Sequence, residues 1–159
     1  MTTDQRVRAR GVDVDRPLRG RAHVIGDDVP SEMVASLAAR TGAGGLLITG
    51  RGFPHGLAHD GVVEPLIRAG VAAVISESMS GGFFRASVKL GLPAFALPGV
   101  AGVVADGDEV EVFLREARVR SLRTGAQCSG TPMPRRIAIV LRAGGARAFV
   151  AGRYGPPTR

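Results

Sequence analysis

Two imidazoles four residues apart, His55 and His59, share one glycine-rich stretch with the carboxylate of Asp60: Gly50-Arg51-Gly52-Phe53-Pro54-His55-Gly56-Leu57-Ala58-His59-Asp60-Gly61. Imidazole titrates near neutrality, so the pattern suits general acid–base chemistry. A helix is expected to follow, and the amides that open it would favour an anion close by. Arg51 adds a cation to the same loop. The plainer alternative is a solvated loop whose histidines take no part in chemistry. No metal site is expected, because nothing in the pattern holds His55, His59 and Asp60 rigidly around an ion. Elsewhere, Ser31 and Glu32 read either as a helix cap with its dipole partner or as groups facing a substrate. Arg85 reads as half of a surface ion pair or as a ligand for a carboxylate. Phe83 and Phe84 read as core.

Cys128 is the only cysteine of the chain. An intrachain disulfide is therefore excluded, as is an iron–sulfur or zinc site built from this chain's thiolates alone. The 159 residues include 21 Lys and Arg against 14 Asp and Glu, a net charge of +7, with Lys89 the only lysine. One arginine cluster comprises Arg6, Arg8, Arg10, Arg16, Arg19 and Arg21, and a second comprises Arg115, Arg118, Arg120 and Arg123. Such a balance fits nucleic acid, an anionic substrate or an acidic partner, or nothing more than a codon preference for arginine. Neither cluster is interleaved with aromatics that could stack on bases, and no DNA- or RNA-recognition signature is present, so nucleic acid is not the expected partner. No apolar run approaches the ~20 residues of a membrane span. No secretion signal is visible. The expectation is a small cytoplasmic domain with no membrane partner.

These residues need elements to position them. Residues 1–19 lack apolar periodicity and read as a flexible basic arm, 20–153 as the folded domain, and 154–159 as a frayed tail. Residues 21–25 read as a strand, and 33–40 as a helix capped by Asp28 or Ser31. The apolar run 46–49 reads as a strand buried on both faces. After the histidine loop, a helix of about nine residues buries Val62, Val63, Leu66 and Ile67 and stops at Gly70. Pro65 is tolerated only in a first turn, so this helix is expected to start late. Strand 71–75, a helix capped by Ser78 or Ser80, and strand 92–97 complete a parallel sheet with right-handed crossovers. Residues 109–114 and 118–122 alternate as half-exposed strands. A closing helix spans 134–143.

The ordered set Gly26-Asp27-Asp28-Val29, Gly50-x-Gly-Phe53-x-x-Gly56, Gly70 to Ile75, Gly82-Phe83-Phe84-Arg85-Ala86-Ser87 with Gly91-Leu92-Pro93, Asp106-Gly107-Asp108 and Pro132-Met133-Pro134 resembles the small subunit of 3-isopropylmalate dehydratase, the swivelling domain of the aconitase superfamily. The resemblance runs from about Gly20 to Arg153. It implies an α/β fold of three β/β/α layers, with a central parallel sheet and a β-rich C-terminal part. It also implies a hydro-lyase heteromer in which a large subunit holds a [4Fe-4S] cluster, and a small hydroxy-carboxylic acid as substrate. The chain is expected to be inactive without that partner, and to form a homo-oligomer when alone.

In that family the loop reads Gly-x-Asn-Phe-Gly-x-Gly-Ser-Ser-Arg-Glu-His, with a serine as base and the arginine gripping a carboxylate. Here Leu57 and Ala58 stand at the serines, His59 at the arginine and Asp60 at the glutamate. The segment between Val34 and Leu46, where the family places a substrate-selecting loop, is much shorter. The resemblance thus implies catalytic roles for His55, His59 and Asp60, with Ser31, Glu32, Arg51, Gly56 and Arg85 toward the substrate. Two alternatives stay open: a non-catalytic swivel module that shapes a partner's site, and an anion- or nucleic-acid-binding domain that reuses the fold.

Overall fold

Every second residue of the central strands points the same way, and this alternation builds the layers. In a computed structural model that describes residues 11–154, Leu46 and Ile48 of β2 (Leu46–Thr49), Ala73 and Ile75 of β3 (Ala73–Ser76) and Phe95 of β4 (Ala94–Ala96) join one buried cluster. Leu47, Val74 and Ala94, the residues between them, join a second cluster with Val34, Leu37, Val63, Leu66 and Phe83. That is the period-two partition of strands covered on both faces. The second cluster lies under α1 (Val34–Thr41), α2 (Asp60–Ala69) and α3 (Gly81–Leu90). The first is closed by Val110 and Val112 of β5 (Glu109–Phe113) and Val119 of β6 (Arg118–Ser121).

A single strand serves both halves. β1 (Leu18–Val24) pairs antiparallel with β5 through residues 18–21 and parallel with β2 through residues 22–24. The result is one seven-stranded sheet ordered β4-β3-β2-β1-β5-β6-β7, with β7 at Gln127–Ser129. Because strands from both halves share one apolar cluster, the sheet curls over on itself. Its far ends approach: a β-carbon on Gly130, just past β7, would lie 3.0 Å from the Leu97 side chain, just past β4. The expected β/β/α architecture is the one observed.

Several local expectations are corrected. Residues 11–19 do not form an arm. Val14 is 2% exposed inside the first cluster, the Val12 N–H donates to the Leu141 carbonyl at 3.1 Å, and β1 begins at Leu18. Their few apolar residues are anchored by tertiary packing that no local period reveals. The rest of the arm, residues 1–10, and the end of the tail lie outside the described residues. Neither Asp28 nor Ser31 caps α1: a short 3-10 turn, Ser31–Met33, precedes it without a side-chain cap. α2 starts early, at Asp60, and Pro65 sits in its interior; the Gly61 carbonyl it leaves unpaired is in an exposed residue that water can reach. A further helix, α5 (Ala146–Tyr154), follows α4 (Arg135–Ala143). Gly144 is the left-handed cap of α4, so the glycine pair ends one helix without preventing the next.

Each arginine of the second cluster has a carboxylate partner: Arg115 has Asp15, which it shares with Arg142, Arg118 has Glu116, Arg120 has Glu111 and Arg123 has Asp108. These ion pairs argue against a phosphate-binding strip on the strands. Asp108 is the most deeply placed of the acids. It accepts from Arg123 Nε at 2.7 Å, the Ala105 N–H at 3.0 Å and Ser121 Oγ at 3.2 Å. The Arg123 guanidinium above all, then the Ala105 amide, holds its carboxyl below the usual carboxylate range. A lowered folded pKa stabilises above the unfolded value of about 3.9 and is lost as pH falls through the folded one. Asp108→Asn is therefore expected to melt below the parent at pH 7, with the gap narrowing below about pH 4. Thermal melts across that range check it.

Candidate active site

The C-terminal ends of β1, β2 and β3 open into three loops that lie side by side, where open parallel sheets bind their ligands. Backbone hydrogen bonds staple the central loop, residues 50–59, to both neighbours. On the β1 side, the Gly50 N–H donates to the Gly26 carbonyl at 3.0 Å, the Arg51 N–H to Asp27 Oδ1 at 2.7 Å, and the His55 N–H to the Val29 carbonyl at 2.7 Å. On the β3 side, the Gly52 N–H donates to Ser78 Oγ at 2.8 Å, and the Ser80 N–H to the Phe53 carbonyl at 2.9 Å. A β-carbon on Gly50 would lie 2.1 Å from Asp27 Oδ1, so the clamp requires glycine there. Beneath it, Thr49 Oγ1 and Ser76 Oγ, both buried, pair at 2.5 Å across β2 and β3.

Phe53 pins the loop from below. Its ring is fully buried and meets Phe83 edge to face, with centroids 5.1 Å apart. Beyond Pro54 the chain turns outward: His55, Gly56 and Leu57 are exposed, Leu57 at 85%. The loop is therefore rigid at its base and presented at its tip.

His55, Gly56 and Ser31 come together there. The His55 carbonyl accepts from the Ser31 N–H at 2.9 Å and from Ser31 Oγ at 3.2 Å. Ser31 thus braces the loop instead of capping α1. Gly56 lies beside that hydroxyl, where a β-carbon would make ordinary contact at 3.4 Å; its φ of +108° is what favours glycine. The His55 ring makes no hydrogen bond with any described residue and faces solvent. Glu32 is exposed in the 3-10 turn.

His59 has a different position. It is the N-cap of α2, and its Nδ1 accepts from the Gly61 N–H at 3.0 Å. The ring lies so close to Gly61 that a β-carbon there would be 2.7 Å from Cε1. An accepting Nδ1 places the ring proton on Nε2, so His59 offers a donor, and taking up another proton would break the cap. His59→Ala should cost about 1 kcal/mol of stability, and His59→Asn, which can also cap, a few tenths at most. Urea unfolding distinguishes the two. Asp60 is also engaged, in an ion pair with Lys89 Nζ at 2.8 Å that ties α2 to α3.

Arg85 lies midway along α3 and its side chain reaches back to the helix start, with Nη1 3.0 Å from where a β-carbon on Gly81 would be; Gly82 packs against the Ala58 carbonyl. The start of α3, to which the Arg85 guanidinium reaches back, therefore adjoins the loop at Ala58 through Gly82. Arg51 and Arg85 are both exposed, and neither has a carboxylate partner among the described residues. Asp60 is paired with Lys89 instead of a histidine, and no hydrogen bond or ion pair joins Glu32 to His55 among the described residues, although Ser31 beside it is bonded to the His55 carbonyl. Sequence reading missed the clamp residues Asp27 and Ser78 and the partner Lys89; the signal available for the first two was a polar residue two or three places past the end of a parallel strand. Among the described residues no group of three or more His, Cys, Asp or Glu side chains could hold a metal ion.

No protein-family model matches the chain. Individual proteins do. It is 30% identical over 147 residues to the 3-isopropylmalate dehydratase small subunit of Aquifex aeolicus, covering 92% of this chain and 85% of that one. It is 30% identical over 158 residues to the subunit of the same name from Pyrobaculum calidifontis, covering 86% and 98%. A crystal structure of 3-isopropylmalate dehydratase from Methanocaldococcus jannaschii superposes with a TM-score of 0.74 at 23% identity, covering 87% of this chain and 95% of that one. The last of these comparisons bears on the fold.

Proposed function

Because this chain belongs to the family of 3-isopropylmalate dehydratase small subunits, we propose that it is the small subunit of an aconitase-superfamily hydro-lyase acting on a small hydroxy-carboxylic acid. The observation that carries this reading is the loop at residues 50–59, fixed at Phe53 and stapled on both sides, with its tip open to a partner. A lid of this kind needs a second chain over it. In this reading the large subunit holds a [4Fe-4S] cluster, which when bound polarises the substrate's hydroxyl and carboxylate. This chain's own residues do not fit the cluster. Its one thiol, Cys128, is half-buried on β7, and burial, with the Glu77 carboxylate adding, pushes it up and away from the thiolate a cluster needs.

The chain's own contribution is binding and proton handling. His55, with both ring nitrogens open, takes or returns the proton that a serine handles in the resemblance. Its backbone is held by Val29 and Ser31, which fixes where the side chain leaves the loop. The guanidinium of Arg85, at the start of α3, and that of Arg51 receive substrate carboxylates; either can form the bidentate contact that His59 cannot. His59 adds an Nε2–H donor at the mouth of α2. Leu57 and Ala58, which cannot exchange a proton, make the chain dependent on its partner.

A second reading, a non-catalytic lid, is favoured by Leu57, whose isobutyl group is exposed at the loop tip where a hydroxyl would serve proton transfer. The test is anaerobic co-expression with a cluster-bearing large subunit. Stable co-purification with dehydration of a hydroxy-acid supports the first reading, and a complex whose turnover ignores loss of the His55 imidazole supports the second. Failure to bind any such subunit would remove both.

A further inference from the structure

The loops that follow β1 and β3 meet the same short piece of backbone, Arg51-Gly52, with opposite chemistry. From the β1 side come two carboxylates. Asp27 Oδ1 accepts the Arg51 N–H at 2.7 Å, and Asp28 Oδ1 lies 3.0 Å from where a β-carbon on Gly52 would be. From the β3 side comes a neutral hydroxyl, Ser78 Oγ, which accepts the Gly52 N–H at 2.8 Å. The carboxylate next to it, Glu77, is engaged in the loop after β4, where it accepts the Gly99 and Ala101 N–H groups, each at 2.8 Å.

A serine hydroxyl has a proton to donate besides the lone pairs that accept. Ser78 uses a lone pair on Gly52, and its proton has no acceptor among the described residues. Other hydroxyls around the site are committed differently: Ser31 donates to the His55 carbonyl, and Thr49 and Ser76 pair with each other in the core. Ser78 is exposed, so its donor is open to a ligand, and the bond to Gly52 fixes where its oxygen lies.

Cations stand to either side of it. Arg51 immediately precedes the Gly52 that Ser78 holds. Three residues beyond Ser78, Gly81 opens α3, and the Arg85 guanidinium reaches back to it. Three residues of chain span no more than about 11 Å even when fully extended. Arg51 and Arg85 are exposed. A small anion drawn to them meets a neutral donor on the β3 side and two repelling carboxylates on the β1 side.

We propose that Ser78 is a substrate-binding residue whose hydroxyl donates to a carboxylate attracted by Arg51 and Arg85. The proposal rests on the reading above, in which those arginines receive substrate carboxylates. One oxygen then has two roles: its lone pair holds the histidine loop, and its proton orients the substrate. The acceptor is turned toward β3 and α3, away from Asp27 and Asp28.

The test titrates the full chain with malate, a small hydroxy-dicarboxylic acid, and follows amide NMR shifts; malamide, the uncharged diamide, is the control. Malate is expected to give saturable shifts at Gly52 and Gly81, and malamide none. Ser78→Ala removes acceptor and donor and should weaken malate about tenfold, the size of a hydrogen bond to a charged group. Ser78→Asp can still accept from Gly52 but cannot donate, and should weaken malate at least as much. Ser78→Thr keeps both functions and should stay within about twofold. Asp27→Ala loosens the same loop from the β1 side, and should weaken malate less than Ser78→Ala does. Should Ser78→Ala misfold, the aspartate and threonine variants still decide. No saturable malate binding would overturn the proposal. So would equal weakening by Ser78→Ala and Asp27→Ala, or parent-like binding by Ser78→Asp, since either reduces Ser78 to a clamp. Anaerobic reconstitution with a large subunit keeps the two readings apart. Malate binding through Ser78 without any such complex supports the proposal and removes the dehydratase reading. An active complex whose KM ignores Ser78→Asp does the reverse.

Discussion

Replacing Phe53 by alanine is expected to destabilise the fold by about 3–5 kcal/mol, the cost typical of emptying a fully buried aromatic site. Two terms add. The ring loses its apolar burial, and Phe83 loses an edge-to-face partner worth roughly 1 kcal/mol beyond area. The surroundings cannot collapse easily into the gap, because hydrogen bonds to Ser78 and Ser80 fix the backbone of Phe53. The loop should also loosen, so amide exchange is expected to speed up from Arg51 to Leu57 before it does in β2. Phe53→Leu, which keeps most of the volume, should cost less than about 1.5 kcal/mol. Urea unfolding with both variants measures this, and a loss below about 1 kcal/mol for Phe53→Ala would show that Phe53 is not the anchor.

His55→Ala is expected to lower turnover of the reconstituted enzyme by about 10²–10⁴-fold, the range for removing a positioned acid–base group. Stability should scarcely move, because the ring is exposed and hydrogen-bonded to nothing described, while the bonds that hold the loop run through the backbone. His55→Gln keeps the polarity and bulk but cannot shuttle a proton, so it should be as inactive as the alanine variant. The effect belongs in kcat, with substrate binding held by the arginines. His59→Ala provides the contrast, since its main effect is on the unfolding midpoint. A change below threefold in both His55 variants would assign catalysis to the partner and leave this chain as a lid.

Much of the architecture was legible because it is local. Short apolar runs between glycines mark the buried strands, Ser80 and Gly91 bound α3, and the resemblance ordered the loops. The failures have identifiable causes. α5 was hidden by Gly144-Gly145 and by a small-residue composition that gives little apolar contrast. The anchoring of Val14 depends on α4, more than a hundred residues along the chain.

The sequence by itself determined the period-two burial that sorts β2, β3 and β4 into two clusters, and the composition that leaves a single thiol and an acid-free C-terminal stretch. Those properties depend on a residue and its near neighbours. Only the tertiary structure decided which titratable groups are free. Asp60 joined Lys89, Asp108 took up Arg123, and His55 was left open on a clamped loop, whereas the cap that His59 makes to Gly61 is local. A side chain's availability depends on what lies within about 3 Å of it, and in a curled sheet those neighbours come from distant parts of the chain.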